Sequence, residues 1–222
     1  MSNTEYIDIY DGMGRPTGEV RSKLVVHKEG LWHRSFHCWF IFRNESGEDL
    51  LILQKRSHFK KAWPNKMDIT AAGHYIQSEG IEGGLREIRE ELGINIIQEK
   101  LIYLGIRVCV EEFEQTSINH EYQDVYFYIE NRPLDKYKIS KEEVTGLALV
   151  SIDECLRLFS GEIDELSANG YEVDLNVKTD NVMRSTSYII TRDSFIPTLD
   201  NYNYKIMILA KRALNKEKHL LI

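Results

Sequence analysis

Five glutamates fall within thirteen residues of this 222-residue chain: Glu79, Glu82, Glu87, Glu90 and Glu91, interrupted by Arg86 and Arg89. On a helix, Glu87 lies three residues from Glu90 and four from Glu91, so the three carboxylates share one surface. Like charges at these spacings destabilise a helix by about 0.2–0.5 kcal/mol per pair, and the two arginines offset part of that. A solvated outer face is the ordinary meaning of such a run. Two features point to chemistry instead. The run follows "ITAAGHYIQSE", an apolar strand that enters a glycine turn and ends on a further carboxylate. Carboxylates on one helix face beside a turn that offers backbone carbonyls make a hard-oxygen site for Mg2+ or Mn2+. A cation there relieves the repulsion and can carry a diphosphate while activating water.

The elements that must position these residues are legible in outline. Ile81, Leu85, Ile88 and Leu92 recur at helical spacing and Gly93 follows as a stop, which predicts a helix carrying the glutamates. "YIDIYD" and "EVRSKLVVH", separated by "GMGRPTG", predict an N-terminal hairpin. "FHCWFIF" and "DLLILQKR" predict two antiparallel buried strands, and "KLIYLGIRVCV", "YQDVYFYIE" and "GLALVSI" three more, with "EEFEQTSINHE" as a connection. Helices are expected from Ser151 or Asp153 and through "DNYNYKIMILAKRALNKEK", where Tyr202, Ile206, Leu209 and Ala213 share a face. Residues 161–200 are polar and weakly periodic, and read as an irregular segment that could serve as a binding loop or lid. Strands with interspersed helices indicate an α/β or α+β fold with a mixed sheet. The expectation is one domain over 1–222, with 1–35 as an N-terminal extension and 161–222 as the irregular segment plus a C-terminal helix.

Composition narrows the partners. The net charge is −7 and the pI about 5.6, which disfavours a nucleic-acid polymer or an anionic membrane. A small phosphorylated ligand remains compatible if a cation bridges it to the protein. No run approaches a membrane span, and "MSNTEYIDIY" lacks a secretory pattern. Cys38, Cys109 and Cys155 read as buried reduced thiols of a cytoplasmic protein. A homodimer is compatible with the composition.

The stretch from Gly73 to Ile94 resembles the signature box of the Nudix hydrolases, Gly-x5-Glu-x7-Arg-Glu-Ile/Leu-x-Glu-Glu-x-Gly-Ile/Leu. Arg86, Glu87, Ile88, Glu90, Glu91, Gly93 and Ile94 match its second half without a gap, and Gly73 and Glu79 match its first. One residue is missing between Glu79 and Arg86, next to Gly80, Gly83 and Gly84. The resemblance implies an α/β/α sandwich with a mixed sheet and divalent-metal-dependent hydrolysis of a diphosphate linked to another moiety. By position it implies Glu87 and Glu91 as direct ligands and Glu90 as a ligand to a further metal or its water. It implies an Ala72 or Gly73 carbonyl ligand, and Arg86 paired with Glu79 to orient the carboxylates. The missing residue bears most on Glu79. The general base of this family often lies outside the box, with candidates here in Glu111, Glu112, Glu114, Glu121 and Asp124, of which Glu121 and Asp124 lead.

A narrower resemblance runs to the type I isopentenyl-diphosphate isomerases, which share this fold and bind a metal through histidines. His27, His33 and His74 fall in comparable places, with His27 and His33 one residue closer than in that family. The isomerase needs a cysteine just before its Gly-His pair. Here that region reads "MDITAAGH", with Asp68, Ile69 and Thr70 and no thiol. The sequence therefore reads as an isomerase-like Nudix hydrolase, with isomerase and non-catalytic ligand sensor as alternatives. Trp63, in a loop before the box, is the pocket-wall candidate, because aromatic rings stack on bases or cover prenyl chains. Arg56 and Lys55, at a strand end, are phosphate-contact candidates.

Overall fold

In the computed structural model, which describes residues 4–113, 117–174 and 182–222, the first extended run pairs as expected: β1 (Tyr6–Tyr10) is antiparallel to β2 (Pro16–Ser22). The second run does not stay extended. It turns at Ser22 into α1 (Lys23–Glu29), which Gly30 closes at φ 64°. Val26 is fully buried against Ile7 and Ile9, and Leu24 is left outside, so a helical stripe overrides the β-branched pair. His27 thereby lies on a helix.

The other nine strands form one mixed sheet. They are β3 (His33–Arg43), β4 (Asp49–Arg56), β5 (Met67–Asp68), β6 (Ala71–His74), β7 (Leu101–Phe113), β8 (Ser117–Ile129), β9 (Val144–Ser151), β10 (Glu165–Val173) and β11 (Met183–Thr191). The order is β11-β10-β9-β4-β3-β8-β7, with β5 on β4 and β6 on β3. Only the β3/β8 pair is parallel among these ladders. The expectation that 161–200 is irregular is overturned at 165–173 and 183–191, the two strands of the β10/β11 hairpin. Leu166, Ala168 and Gly170 are buried and alternate with exposed Glu165, Ser167 and Asn169, a one-sided strand whose polar face dominates the composition. Residues 175–181 of that segment, and the candidate base Glu114, lie outside the described residues.

Helices cover both faces. On one, α2 (Ile81–Leu92) packs Ile88 and Leu92 against Phe36, Cys38 and Phe40. On the other, α3 (Ile152–Ser160) and α4 (Tyr202–Leu214) pack Cys155, Leu158, Ile206 and Ala210 against Trp39, Ile41, Leu51 and Val125. This alternation along β3 produces the α/β/α sandwich. No described helix is long and apolar enough to cross a membrane.

Gly83 and Gly84 lie inside α2 rather than in the loop before it. A Cβ on Gly84 would stand 2.2 Å from Phe36, and one on Gly83 would stand 2.4 Å from Glu79 Oε2. The pair therefore lets the helix seat closely on β3 and on the Glu79 turn. Replacing Gly84 with alanine is expected to cost about 1–3 kcal/mol through overpacking, despite alanine's better helix propensity. An unchanged urea midpoint for Gly84→Ala would show that the helix can ride outward freely.

Candidate functional site

A cleft of about 540 Å3 opens where β3 and β8 begin and β6 ends, beside α2 and the start of α4. Its walls include Glu87, Glu90 and Glu91 on one side, His27, His74 and Glu121 at the centre, and Arg107, Gln123 and Tyr202 at the far end.

Arg86 organises the acidic side. Its guanidinium donates to both oxygens of Glu79 at 3.0 Å, to Glu87 at 2.9 Å, to Glu90 at 3.0 Å and to the His74 carbonyl at 3.2 Å. Glu79 also accepts the Ile76 N–H at 3.0 Å, so the shortened loop still delivers it to Arg86. Glu87 lies so close to β6 that a Cβ on Gly73 would be 2.1 Å from its carboxyl carbon. Glu91 is 3% exposed and accepts the Ala72 N–H at 3.1 Å. Burial, then the neighbouring Glu87 charge, pushes its carboxyl up to about 8, and burial also raises Glu87. Glu90 is half exposed at the rim. A half-buried Glu87 and a buried Glu91, both disfavoured in their charged forms and beside one another, form a donor set that a hard divalent cation would stabilise.

A second cluster faces the first. The ligand-type nitrogens of His27, His33 and His74 lie within 4.8 Å of one another. His33 Nδ1 donates to the Leu31 carbonyl at 2.8 Å, which leaves Nε2 as the lone-pair nitrogen. Glu121 Oε1 lies 3.5 Å from His33 Nε2 and 3.3 Å from His74 Nε2. Neither nitrogen completes a hydrogen bond, although both are buried. Buried imidazole nitrogens that converge on one carboxylate oxygen without a proton to share fit a transition-type cation. Burial opposes ionisation of Glu121, but the His33 and His74 imidazoles beside it outweigh burial and hold the carboxyl well below its usual range.

The far wall contains His37, which had no expected role. Trp39 Nε1–H donates to the Tyr202 hydroxyl at 3.1 Å, so that hydroxyl donates in turn to His37 Nδ1, also at 3.1 Å. Burial pushes the imidazole down to about 4. The unfolded chain binds this proton near pH 6.5 and the folded chain does not. Stability is then independent of this group above about pH 6.5 and falls by about 1.4 kcal/mol per unit as pH drops toward 4. Urea midpoints between pH 7 and 5 should show the fall, to which His27 and His74, also lowered by burial, contribute, and His37→Gln should reduce its slope. An identical slope in the variant would assign the fall elsewhere.

Several expected residues are not brought to the cleft. Asp124 is on the opposite face of β8 from Glu121 and Gln123, where Arg34 NH2 donates to both its oxygens at 2.6 and 2.5 Å. It lies three positions along the strand from Glu121, an odd offset, and side chains alternate along a strand, so the two cannot share the cleft. Arg56 lines the cleft, yet it donates to the carbonyls of Ala62 and Trp63 and to Asp68 at 2.7 Å, so it braces the 58–66 loop. Lys55 pairs with Glu172 at 2.6 Å, away from the cleft. Glu111 lines the cleft and Glu112 does not. Trp63 lines it too, at φ 49°. Three cations absent from the expected set, Lys23, Lys60 and Lys61, reach it. Lys60 is pulled down by burial and supported by Glu91. The pair "KK" beside Trp63 was the available signal for two of them. No cysteine lines the cleft.

A family model described as NUDIX domain matches residues 31–168. An uncharacterised Nudix hydrolase of Clostridium acetobutylicum is 37% identical over 207 residues, 93% of this chain and 96% of that protein. Nudix hydrolase 3 of Arabidopsis thaliana is 32% identical over 163 residues, 71% of this chain and 21% of that protein. An isopentenyl-diphosphate Delta-isomerase of Citrobacter koseri is 32% identical over 104 residues, 46% of this chain and 55% of the isomerase. The matched region ends before β11 and α4.

Proposed function

As the chain belongs to the NUDIX domain family and is a Nudix hydrolase, we propose that it cleaves the diphosphate linkage of a small organic diphosphate with the help of Mg2+ or Mn2+. The observation that carries this reading is the crowding of half-buried Glu87 and buried Glu91, both raised in pKa, against β6. Glu87 and Glu91 hold the cation, with Glu90 at the rim and the Ala72–Gly73 backbone beside them. A bound divalent cation supplies positive charge for the diphosphate and an activated water. Arg86 holds Glu87 and Glu90 in place and is itself locked by Glu79. Lys23, Lys60 and Lys61 meet the phosphates as point charges. His27, His33, His74 and Glu121 form a second cation cluster. Glu121 is the better-placed base candidate outside the box, because Asp124 faces away. A reducing, cytoplasmic setting fits the three buried free thiols.

The isomerase reading shares the histidine cluster but lacks a thiol in the cleft: Ile69 lines it with no side-chain proton to exchange, and Thr70 is buried. Thr70 is hydrogen-bonded within the core, to the Ile52 carbonyl and the Phe40 N–H. A pure ligand sensor has no need of buried carboxylates held at this cost. The deciding experiment is a panel of nucleoside, nucleotide-sugar, coenzyme and prenyl diphosphates assayed with Mg2+ and Mn2+. Cation-dependent release of phosphate or a monophosphate product is expected. Folded protein that turns over none of them, or that exchanges isopentenyl diphosphate protons in heavy water, would overturn the reading.

A further inference from the structure

Glu121 presents only one of its oxygens to the histidines, and the reason lies outside the cluster. Oε2 accepts from the Ser35 hydroxyl at 3.0 Å and from the Gln123 amide nitrogen at 2.6 Å. Both donors are buried with it. Oε2 is thus satisfied, and Oε1 is left facing His33 and His74. An amide can turn either end toward a neighbour, so Gln123 needs its own constraint. Arg107 provides it: its NH1 lies 2.6 Å from Gln123 Oε1. A guanidinium has donors and no acceptor, so the amide oxygen must face Arg107 and the amide N–H must face Glu121. The reversed amide would set donor against donor at one end and oxygen against carboxylate at the other.

Arg107 is fixed in turn from the C-terminal segment. Asp200 accepts two hydrogen bonds from it, at 2.9 and 2.8 Å, and the guanidinium carbon lies 4.2 Å from the centroid of the Tyr202 ring. Both partners lie beyond residue 168, outside the stretch matched by the family model. We infer that Asp200, Arg107 and Gln123 form a positioning chain by which the C-terminal segment orients the Glu121 carboxylate and so sets the cation affinity of the His27/His33/His74/Glu121 cluster. The inference rests on the reading of that cluster as a cation site. The three residues are positioning residues that act through Glu121, and outer groups of this kind alter cation affinity by about 10–100-fold.

Titration of the full chain with Co2+, followed by visible ligand-field absorption and by competition with a chromophoric chelator, tests it. Gln123→Leu is expected to weaken Co2+ binding about 10–100-fold and to change the spectrum. Asp200→Asn, a half-buried substitution that leaves the core intact, should act in the same direction with a smaller effect. Added to Glu121→Gln, Gln123→Leu should cost nothing further, because its target is already gone; a merely structural role would add its full effect. If Glu121→Gln weakens binding while Gln123→Leu and Asp200→Asn leave affinity and spectrum unchanged, the positioning chain is overturned and the cluster stands. If Co2+ binds wild type, Glu121→Gln and His33→Gln alike, the cluster reading falls and the chain with it.

Discussion

Glu91→Gln is expected to lower kcat/KM by about three orders of magnitude at saturating Mg2+ while leaving the protein as stable as before, or more so. A glutamine keeps the volume of Glu91, and its carbonyl oxygen can still accept the Ala72 N–H. What it removes is a negative charge from a site where burial and Glu87 already oppose that charge. The folded apoprotein therefore loses only the support this charge lends Lys60. The cation loses a ligand. A cation's stabilisation of developing phosphoryl charge is worth several kcal/mol, and about 1.4 kcal/mol is a factor of ten in rate, which gives the expected factor. Glu87→Gln should behave similarly in rate but less gently in stability, because Arg86 loses a charged partner at 2.9 Å. Glu90→Gln, at the exposed rim, should cost less than either. Steady-state rates alongside thermal midpoints separate these effects. Near-wild-type activity in both Glu87→Gln and Glu91→Gln would place the chemistry elsewhere.

How far the site could be read in advance depended on whether local pattern and tertiary structure agreed. The acidic helix was legible because its apolar stripe, stop glycine and carboxylate spacing all follow one period, and the structure keeps that period from Ile81 to Leu92. The far wall was not. In "LIYLGIRVCV" the apolar residues occupy the even positions throughout, which puts Arg107 on the outer face of a plain strand. The ladder instead slips between Tyr103 and Gly105, and Gly105 takes φ 114°. Past this bulge the faces exchange: Leu104 is buried, but Ile106, Val108 and Val110 are about half exposed, and Arg107 turns into the cleft. Sequence spacing cannot show a bulge whose only mark is one glycine. The choice between Glu121 and Asp124 failed to resolve for a related reason. Both flank the start of an apolar run, and only the pairing of Glu121 with His33 and of Asp124 with Phe36 along β3 shows which face is which. Convergence of His27, His33 and His74 needs a helix, β3 and β6 to meet, and it is a tertiary fact that three scattered histidines only hint at.

Gly73→Ala should cost about a hundredfold in rate with little loss of stability, and it tests whether the glycine of the box exists for the sake of Glu87. Gly73 is in β6, paired with Phe36 of β3, and its φ is not in the left-handed region, so alanine suits its backbone. Conformational freedom is therefore not the reason for glycine here. The reason is space: the new Cβ would lie 2.1 Å from the Glu87 carboxyl carbon, 2.4 Å from its Cγ and 2.5 Å from Oε1. Ordinary contact distance is about 3.5–4.0 Å, so the carboxylate must retreat by more than 1 Å or the strand must move. The strand is held by β3 on one side, whereas Glu87 is a side chain with rotamers available, so the carboxylate yields. A displacement of 1 Å at a reacting centre can cost about a hundredfold. Thermal denaturation of Gly73→Ala should remain within a few degrees of wild type, and the Mg2+ concentration for half-maximal activity should rise. If rate and Mg2+ dependence both survive the substitution, Glu87 does not hold the cation from the position seen here. In that event Glu91, which touches Ala72 rather than Gly73, is left as the principal carboxylate of the site.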